Sequence, residues 1–262
     1  MKRVLTITLI VSLLLLAGTV GVYAKTLKVG ATPVPHAEVL NLIKDDLAAE
    51  GIELNVIEFT DYVQPNLALA EGELDANYFQ HIPYLETFSA DHRLDLTYIT
   101  KVHIEPMGGY SQKLKDISEL KNGARVAIPN DPVNGGRALL LLERYDLIKL
   151  DPAAGITATA LDIISNPKNL RFSELEAAQL PRVLPDVELA VINTNYALEA
   201  GLVPLTDALF IEDSESPYVN VLAVRASDVE REDLAKLSKA LLSDKVKDYI
   251  LDQYKGAVVP AF

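Results

Sequence analysis

The stretch from Asp131 to Arg137, read Asp-Pro-Val-Asn-Gly-Gly-Arg, combines residue types that suit the binding of a carboxylate. A short apolar run from Arg125 to Ile128 predicts a buried strand before it, and the apolar-rich run after Gly136 predicts a helix. Asp131 is a favourable N-cap for that helix, and the proline after it suits the first helical position. The amides at a helix start attract negative charge, and a guanidinium can bond both oxygens of a carboxylate. The stretch therefore predicts a carboxylate site.

A second interpretation of the same residues is purely structural. Gly135 and Gly136 lack side chains, so either a ligand or another stretch of backbone could approach them closely. In the structural case the glycines serve packing and Arg137 lies on the surface. A nucleotide P-loop is excluded, because no Gly-Lys-Ser or Gly-Lys-Thr follows.

The segment from Tyr78 to Phe88 holds four of the chain's 17 aromatic residues, which are 11 tyrosines and 6 phenylalanines. On an extended segment Phe79 and His81 point to the same face, just past a predicted strand. Ligand pockets of parallel sheets lie at such strand ends. The alternative is a core-packing cluster beneath a loop, with the imidazole of His81 hydrogen-bonded to backbone.

Metal binding and catalysis are disfavoured by the motifs that the sequence lacks. His81, His92 and His103 are evenly spaced, but the segments joining them have the pattern of strand and turn. Neither a His-x-x-x-His pair nor a carboxylate-rich cluster accompanies them, so we expect no metal site and no cofactor. Gly-x-Ser-x-Gly and His-Glu-x-x-His are missing and the carboxylates are scattered, so we expect no enzyme.

The elements that must position these residues alternate between strand and helix. The pattern predicts strands at Leu27–Ala31, Ile52–Phe59 and Leu74–Phe79, with helices at Ala37–Ala49 and Tyr62–Ala70 between them. A βαβαβ order implies a parallel sheet with helices on its faces. Ligands of such sheets bind beyond the carboxyl ends of the strands, in the loops that follow them.

A second α/β unit follows, and it also places polar residues at strand ends. Its predicted elements are a short helix at 118–123, strands at 125–128 and 188–192, helices at 136–148 and 175–184, and further units of unassigned type at 158–164 and 170–174. Asn193 follows the strand at 188–192, and Asn220 precedes a strand at Val221–Arg225. We predict lobe 1 at 25–111, lobe 2 at 112–215, and a return to lobe 1 at 216–262 with two helices. Two such lobes facing each other across a cleft favour a hinged capture protein.

Residues 1–24 have the pattern of a signal peptide, with Lys2 and Arg3, an apolar core, and small residues before a predicted cleavage after Ala24. An uncleaved signal anchor is the alternative, since the apolar stretch is nearly long enough to span a bilayer. The formal charge is −13, and removing two cations takes the mature chain to −15. Such an acidic chain argues against nucleic acid or anionic lipid as a partner.

Five blocks of the sequence resemble the methionine-binding lipoprotein family of the NlpA type, the substrate-binding components of bacterial methionine ABC importers. They are residues 78–85 (YFQHIPYL), 126–137 (VAIPNDPVNGGR), 174–182 (ELEAAQLPR), 190–197 (AVINTNYA) and 215–220 (ESPYVN). The resemblance extends over essentially the whole mature chain. It implies an α/β, two-lobed periplasmic-binding-protein fold (type II-like), with a hinge and a ligand cleft between the lobes.

The resemblance also implies roles for residues at matching positions. Arg137 is expected to anchor the carboxylate of the ligand. Asn193 and Asn220 are expected to hydrogen-bond to the charged groups of the amino acid. The wall around the thioether side chain is expected to consist of Tyr62, Phe79, His81 and Tyr84. A polarizable sulfur near aromatic rings gains roughly 0.3–1.5 kcal/mol per contact.

The implied function is the capture of methionine for an ABC transporter permease and ATPase complex, by a monomer without a cofactor. A methionine-containing dipeptide, D-methionine or another apolar amino acid is the alternative ligand, and an enzyme on the same scaffold is a third hypothesis. Family members usually carry a lipobox cysteine at the cleavage site, whereas here Lys25 follows Ala24 and the chain has no cysteine. We therefore expect a soluble periplasmic or otherwise extracytoplasmic protein without a lipid anchor, unless the signal segment is retained.

Overall fold

The structure, a computed structural model, describes residues 25–213 and 216–262. The predicted signal peptide, residues 1–24, and the alternative of a retained anchor lie outside these ranges. Within them, no helix combines the length and the apolar character that crossing a membrane requires.

The chain alternates between strands and helices over most of its described length. The strands are β1 (Lys25–Ala31), β2 (Ile52–Glu58), β3 (Ala76–His81), β4 (Leu96–Ile104), β5 (Gly108–Tyr110), β6 (Arg125–Pro129), β7 (Lys149–Leu150), β8 (Ile163–Ser165), β9 (Arg171–Leu175), β10 (Leu189–Ile192), β11 (Ala208–Ile211), β12 (Val219–Arg225) and β13 (Val259–Pro260). The α-helices are α1 (Glu38–Leu42), α2 (Lys44–Ala49), α3 (Gln64–Ala70), α4 (Ile82–His92), α5 (Pro132–Arg144), α6 (Thr194–Glu199), α7 (Pro204–Asp207), α8 (Glu232–Leu241) and α9 (Asp244–Tyr254).

The first sheet has the strand order β13-β4-β12-β3-β1-β2. Strand β1 pairs in parallel with both β2 and β3, which confirms the parallel arrangement predicted from the first three strands. Strand β12 returns from the end of the chain and lies antiparallel between β3 and β4. The sheet is therefore mixed, and residues distant in sequence meet near the carboxyl end of β3, where Asn220 pairs with His81.

The second sheet has the order β11-β5-β10-β6-β9. Strand β6 is parallel to β9 and β10, whereas β5 is antiparallel to β10 and β11. Because Gly108–Tyr110 pairs in this sheet, the predicted lobe 1, which extended to residue 111, reaches a few residues too far. The chain crosses from the first sheet at Glu105–Met107 and crosses back after Ile211. Two sheets joined by two crossings form the two lobes of an α/β fold.

Several predicted elements differ from the structure for local reasons. The helix predicted at Ala37–Ala49 is divided at Ile43, whose φ of −98° and ψ of 3° leave the helical region. The helix predicted at 175–184 is a short 3-10 segment, Ala177–Val183, which contains Pro181. Helix α4 occupies residues for which strand and turn were expected between two histidines. Its proline lies in the first turn, where no amide donor is needed, so the proline begins the helix and does not break it.

Candidate ligand-binding site

A small cavity lies between the two sheets. It is lined by Tyr62, Phe79, Gln80, His81, Tyr84, Glu105, Asn134, Arg137, Asn193, Thr194, Asn195 and Asn220. All seven residues singled out from the sequence are in this lining. The fold therefore brings them to one place, although their contacts with a ligand stay a prediction.

His81 is fixed at the junction of β3 and α4. It is the N-cap of α4, and its Nδ1 accepts a hydrogen bond from the backbone N–H of Tyr84 at 3.2 Å. Its Nε2 therefore carries the proton and donates to Oδ1 of Asn134 at 3.1 Å. Burial, with the positive charge of Arg137, lowers the pKa of His81 to about 3. The imidazole is neutral at physiological pH and joins the two lobes by a directed hydrogen bond.

Three aromatic rings form one wall of the cavity. The ring centroids of Tyr62, Phe79 and Tyr84 lie 5.8–6.2 Å from one another, mostly in tilted or edge-to-face pairs. The hydroxyl of Tyr84 donates to the carbonyl of Tyr62 at 3.0 Å, and the hydroxyl of Tyr62 donates to Oδ1 of Asn195 at 2.6 Å. Tyr62 precedes α3 and is not part of it, contrary to the predicted helix at 62–70. The wall thus combines an apolar surface with a hydrogen bond between the lobes.

Helix α5 begins as the sequence predicted. Asp131 is its N-cap, and its carboxylate accepts from the backbone N–H of Asn134 at 2.8 Å. A Cβ atom on Gly135 would lie 2.9 Å from the carbonyl oxygen of Pro129, and one on Gly136 would lie 2.3 Å from that of Ile156. Of the two uses left open for the glycines, the structure therefore supports close backbone packing.

Arg137 is buried, with 3% of its surface exposed, so the alternative of a surface arginine is wrong. Its Nε donates to Oε1 of Glu212 at 2.8 Å, and its Nη2 donates to Oε2 of Glu212 at 2.5 Å. Nη2 also donates to the carbonyl of Glu105 at 2.8 Å, and the guanidinium lies 4.1 Å from the ring centroid of Tyr218. Because this fork already holds a carboxylate, Nε and Nη2 are not free to grip a second one. Nη1 forms no hydrogen bond with any described residue.

Glu105 is the main polar residue that sequence reasoning missed. Its Oε1 lies 2.7 Å from Nε2 of His103 and 3.2 Å from Nε2 of His36, and its Oε2 accepts from the backbone N–H of Asn195 at 3.0 Å. Nδ1 of His36 lies 2.7 Å from the hydroxyl of Thr32. The strand-end rule could have identified Glu105, because it follows β4 directly.

The hydrogen bonds around Glu105 determine which atoms carry protons. Nε2 of His36 faces two acceptors, Glu105 and Oδ1 of Asn220 at 3.1 Å, so it must be protonated, and Nδ1 accepts from Thr32. In His103, Nδ1 accepts from the hydroxyl of Tyr78 and Nε2 donates to Glu105. Burial lowers the pKa of His36 to about 4 and that of His103 to about 3. Burial raises the pKa of Glu105, opposed by His36, Arg137 and the amide of Asn195. Glu105 is thus a buried carboxylate with three donors.

The ligand atoms of His36, His103 and Glu105 lie within 4.8 Å of one another, close enough for a metal site to be considered. Of the histidines singled out by their even spacing, only His103 belongs to this group. Every nitrogen of the two imidazoles already has a hydrogen-bond partner among the described residues. The hydrogen-bond network accounts for the arrangement without a metal ion.

Two buried polar atoms in the lining have no hydrogen-bond partner among the described residues. They are Oδ1 of Asn193, an acceptor, and Nδ2 of Asn195, a donor. The amide nitrogen of Asn193 already has a partner, because Nδ2 donates to Oδ1 of Asn134 at 2.8 Å. Buried polar groups rarely remain unpaired, so these two atoms point to a ligand that offers both a donor and an acceptor.

The remaining lining residues had partial signals in the sequence. Asn134 lies within the stretch that predicted the carboxylate site, and Thr194 and Asn195 directly follow Asn193. Gln80 lies between two predicted residues, and its side chain hydrogen-bonds to the amides of Asn66 and Asn77.

Comparison with known proteins gives consistent matches over nearly the whole chain. A model of the NlpA lipoprotein family matches residues 27–262. A protein of Vibrio cholerae named probable D-methionine-binding lipoprotein MetQ is 43% identical over 263 residues, covering 99% of this chain and 97% of that protein. The D-methionine-binding lipoprotein MetQ of Escherichia coli K12 is 46% identical over 211 residues, covering 80% of this chain and 78% of that protein.

A solved structure is also similar to most of this chain. A nutrient-binding protein from Burkholderia cenocepacia, determined bound to methionine, superposes with a TM-score of 0.88 at 49% identity. The match covers 90% of this chain and 100% of that one. The relatives from Vibrio and Escherichia are named lipoproteins, so they give no support to the expectation that a lipid anchor is missing here.

Proposed function

The chain belongs to the NlpA lipoprotein family, and from that premise and the composition of its cavity we propose that it captures methionine outside the cytoplasm for an ABC importer. The observation that carries the proposal is the pair of unpartnered amide atoms, an acceptor on Asn193 and a donor on Asn195, in the same cavity as an aromatic wall. A free amino acid offers a donor, an acceptor and a side chain that matches such a wall.

The polar end of the cavity, formed by Glu105, Arg137, Asn193, Asn195 and Asn220, suits a zwitterion. The ammonium group would be held by the carboxylate of Glu105 and by Oδ1 of Asn193. The carboxylate would be held by Nη1 of Arg137 and Nδ2 of Asn195, with Asn220 between the two groups. A charged group leaves water at a large cost unless it finds paired charges and hydrogen bonds, and this end supplies both. The polar end therefore favours an amino acid with both α-groups free.

The aromatic end of the cavity, formed by Tyr62, Phe79, His81 and Tyr84, suits a thioether. Tyr62, Phe79 and Tyr84 offer ring faces and edges, and the neutral His81 adds no charge. Sulfur is polarizable and makes favourable contacts with ring edges, whereas the side chain of a charged amino acid would be left unpaired there. Methionine is the amino acid that this wall fits best, and the relatives' names point to the same ligand.

Delivery to a transporter requires the cleft to open and close. Hydrogen bonds already join the lobes in this structure, from Tyr62 to Asn195, from His81 to Asn134, and from Tyr196 to the carbonyl of Thr60. Contacts of this kind support a closed form that a permease and ATPase complex would recognise, with a hinge at the two crossings between the sheets. We expect the binding protein itself to be a monomer.

Ligand identification tests this proposal directly. The protein would be purified under native conditions and its bound small molecule identified by mass spectrometry, followed by calorimetric titration of the ligand-free protein. We expect methionine to be recovered and L-methionine to bind; the names of the relatives make D-methionine the second ligand to titrate. Recovery of a methionine-containing dipeptide would favour the alternative ligand, and turnover of an offered substrate would contradict a pure binding role.

Methionine methyl ester is the control for the polar end. It keeps the side chain and the ammonium group but removes the negative charge that Arg137 and Asn195 are proposed to hold. We expect the ester to bind much more weakly than methionine. An ester that bound as well as methionine would contradict the carboxylate assignment, while leaving the thioether assignment intact.

A further inference from the structure

We propose that Glu212 is a positioning residue for ligand recognition, which holds the guanidinium of Arg137 so that its Nη1 remains for the ligand carboxylate. The inference rests on the proposed role of Arg137 and extends it to a residue outside the cavity lining. Glu212 follows β11, where the chain crosses back toward the first sheet. It lies 75 residues from Arg137 in sequence, hydrogen-bonds to it and is not part of the cavity lining.

The first line of support is the geometry of the pair. Oε1 and Oε2 of Glu212 accept from Nε and Nη2 of Arg137 at 2.8 and 2.5 Å, a two-point contact that fixes a guanidinium in its own plane. The ring of Tyr218 lies against the guanidinium at 4.1 Å and restrains it from the face. Both restraints come from the crossing segment, and together they leave Nη1 as the unbonded corner.

The second line of support is that Glu212 is itself anchored. Its Oε2 accepts from the backbone N–H of Met107 at 2.9 Å, and its own N–H donates to the carbonyl of Met107 at 2.9 Å. Met107 lies in the other crossing between the sheets and is fully buried. The carboxylate therefore has no freedom to follow Arg137 if the arginine moves, which is what a positioning contact requires.

The third line of support is charge. A buried arginine without a partner is strongly unfavourable, so an empty cleft needs a counter-charge that stays in place. Glu212 supplies it: burial lowers the pKa of Arg137, but Glu212, together with Tyr218 and Glu105, raises that pKa above its usual value. Arg137 can therefore remain charged and oriented before any ligand arrives, and little reorganisation is needed when the ligand carboxylate binds.

The adjacent residue provides a matched control. Asp213 forms an ion pair with Arg144 at 2.5 Å, on the same two elements as the Glu212–Arg137 pair. The control pair is exposed, with 57% and 49% of its side-chain surfaces accessible, compared with 3% and 11% for Arg137 and Glu212. Substituting Asp213 removes a carboxylate one residue away without touching the cavity lining.

The test is calorimetric titration of methionine and its methyl ester against Glu212→Gln, Asp213→Asn, Arg137→Gln and the double variant Arg137→Gln/Glu212→Gln. We expect Glu212→Gln to weaken methionine binding by roughly ten- to hundredfold, because the guanidinium of Arg137 is then no longer held in place for the ligand carboxylate. The preference for acid over ester should shrink in the same variant. Asp213→Asn should bind like the wild type.

The double variant distinguishes positioning from a general structural role. If Glu212 acts through Arg137, the double variant should match Arg137→Gln to within about twofold, because there is nothing left to position. Additive losses, or a Glu212→Gln variant with wild-type affinity and wild-type preference for the acid, would overturn the inference while leaving Arg137 as the anchor. Normal binding by Arg137→Gln would overturn the carboxylate assignment itself, and the role of Glu212 with it.

A measurement on the wild type covers the case in which Glu212→Gln does not fold. In ligand-free protein labelled at arginine, the Nε–H of Arg137 should exchange slowly with solvent, because Glu212 accepts from it in the absence of ligand. The resonance would be assigned by its loss in Arg137→Gln. Exchange as fast as that of the exposed Arg144 would overturn the inference.

Discussion

The two ends of the cavity are held in different ways. At the polar end, Arg137 and Glu105 each have protein partners before a ligand enters, and only selected atoms such as Nη1 of Arg137 and Oδ1 of Asn193 remain open. At the aromatic end, the rings of Tyr62, Phe79 and Tyr84 are placed by packing and by two hydroxyl hydrogen bonds. Buried charges must be paired at all times, whereas an apolar wall needs only the right shape.

This difference bears on where specificity is expected to reside. An uncompensated charge costs several kcal/mol, whereas a sulfur–aromatic contact contributes roughly 0.3–1.5 kcal/mol. We therefore expect the polar end to decide whether an amino acid binds and the aromatic end to rank the side chains. The following predictions test that division, from the largest expected effect to the smallest.

The largest effect is expected from Arg137→Ala, which should weaken methionine binding by about 2–5 kcal/mol. The substitution leaves the ligand carboxylate without its cation, and it leaves Glu212 with the N–H of Met107 but without a counter-charge. Calorimetric titration measures the loss, and circular dichroism checks that the variant is folded. Arg144→Ala, at the exposed end of the same helix, is the control and should bind normally. Near-normal affinity in a folded Arg137→Ala would remove the distinction between the two ends.

The second prediction concerns how the free energy of unfolding depends on pH. His36 and His103 contribute at the polar end of the cavity, and His81 contributes at the aromatic end. Burial lowers the pKa of His36 to about 4 and of His103 and His81 to about 3, so the folded state resists their protonation. The unfolded chain binds these protons near pH 6.5, so stability falls as pH falls below that value. Each histidine should contribute about 1.4 kcal/mol between pH 7.5 and 5.5. Burial raises the pKa of Glu105, which opposes the trend, so the net fall is smaller than the sum.

Urea unfolding at the two pH values measures this fall. His81→Asn keeps an acceptor at the N-cap of α4 and removes one histidine from the aromatic end. The fall in its unfolding free energy should be smaller than that of the wild type by about 1.4 kcal/mol. An identical fall in the variant would show that the pH dependence arises elsewhere.

A third, smaller effect is expected from Tyr62→Phe. The substitution keeps the ring in the aromatic wall but removes the hydroxyl that donates to Asn195 in the other lobe. We expect methionine binding to weaken by about 0.5–1.5 kcal/mol, the net value of one hydrogen bond. Tyr249→Phe, which loses a hydroxyl far from the cleft at Glu38, is the control. A loss as large as that of Arg137→Ala would mean that the ring, and not only its hydroxyl, had been disturbed.

The smallest effect is expected from changing the ligand and not the protein. Norleucine has nearly the shape of methionine and the same α-groups, but it lacks sulfur. It should bind in competition assays with a loss of about 1 kcal/mol, which reflects only the sulfur–aromatic contacts. A loss of several kcal/mol would show that the aromatic end, and not the polar end, decides whether binding occurs.

The sequence alone determined the local structure around the site and most of the residues that line it. The N-cap at Asp131 and the parallel order of the first three strands depend on residue type and on periodicity within short windows. The same is true of Asn193, which follows a strand end, and of Arg137, which lies near a helix start, whereas the role expected of Asn220 came from the family resemblance. Helix α4 was missed because the segment between His81 and His92 was interpreted as strand and turn.

Only the tertiary structure decided how the charges are paired. Glu212 is 75 residues from Arg137, and Glu105 is 69 residues from His36, so no local pattern connects them. Both carboxylates lie where the chain crosses between the sheets, and the crossings bring them against buried partners. Whether a charged side chain is neutralised, hydrogen-bonded or left open depends on what surrounds it after folding, because burial sets the cost of its charge and the partners that offset that cost arrive from distant segments.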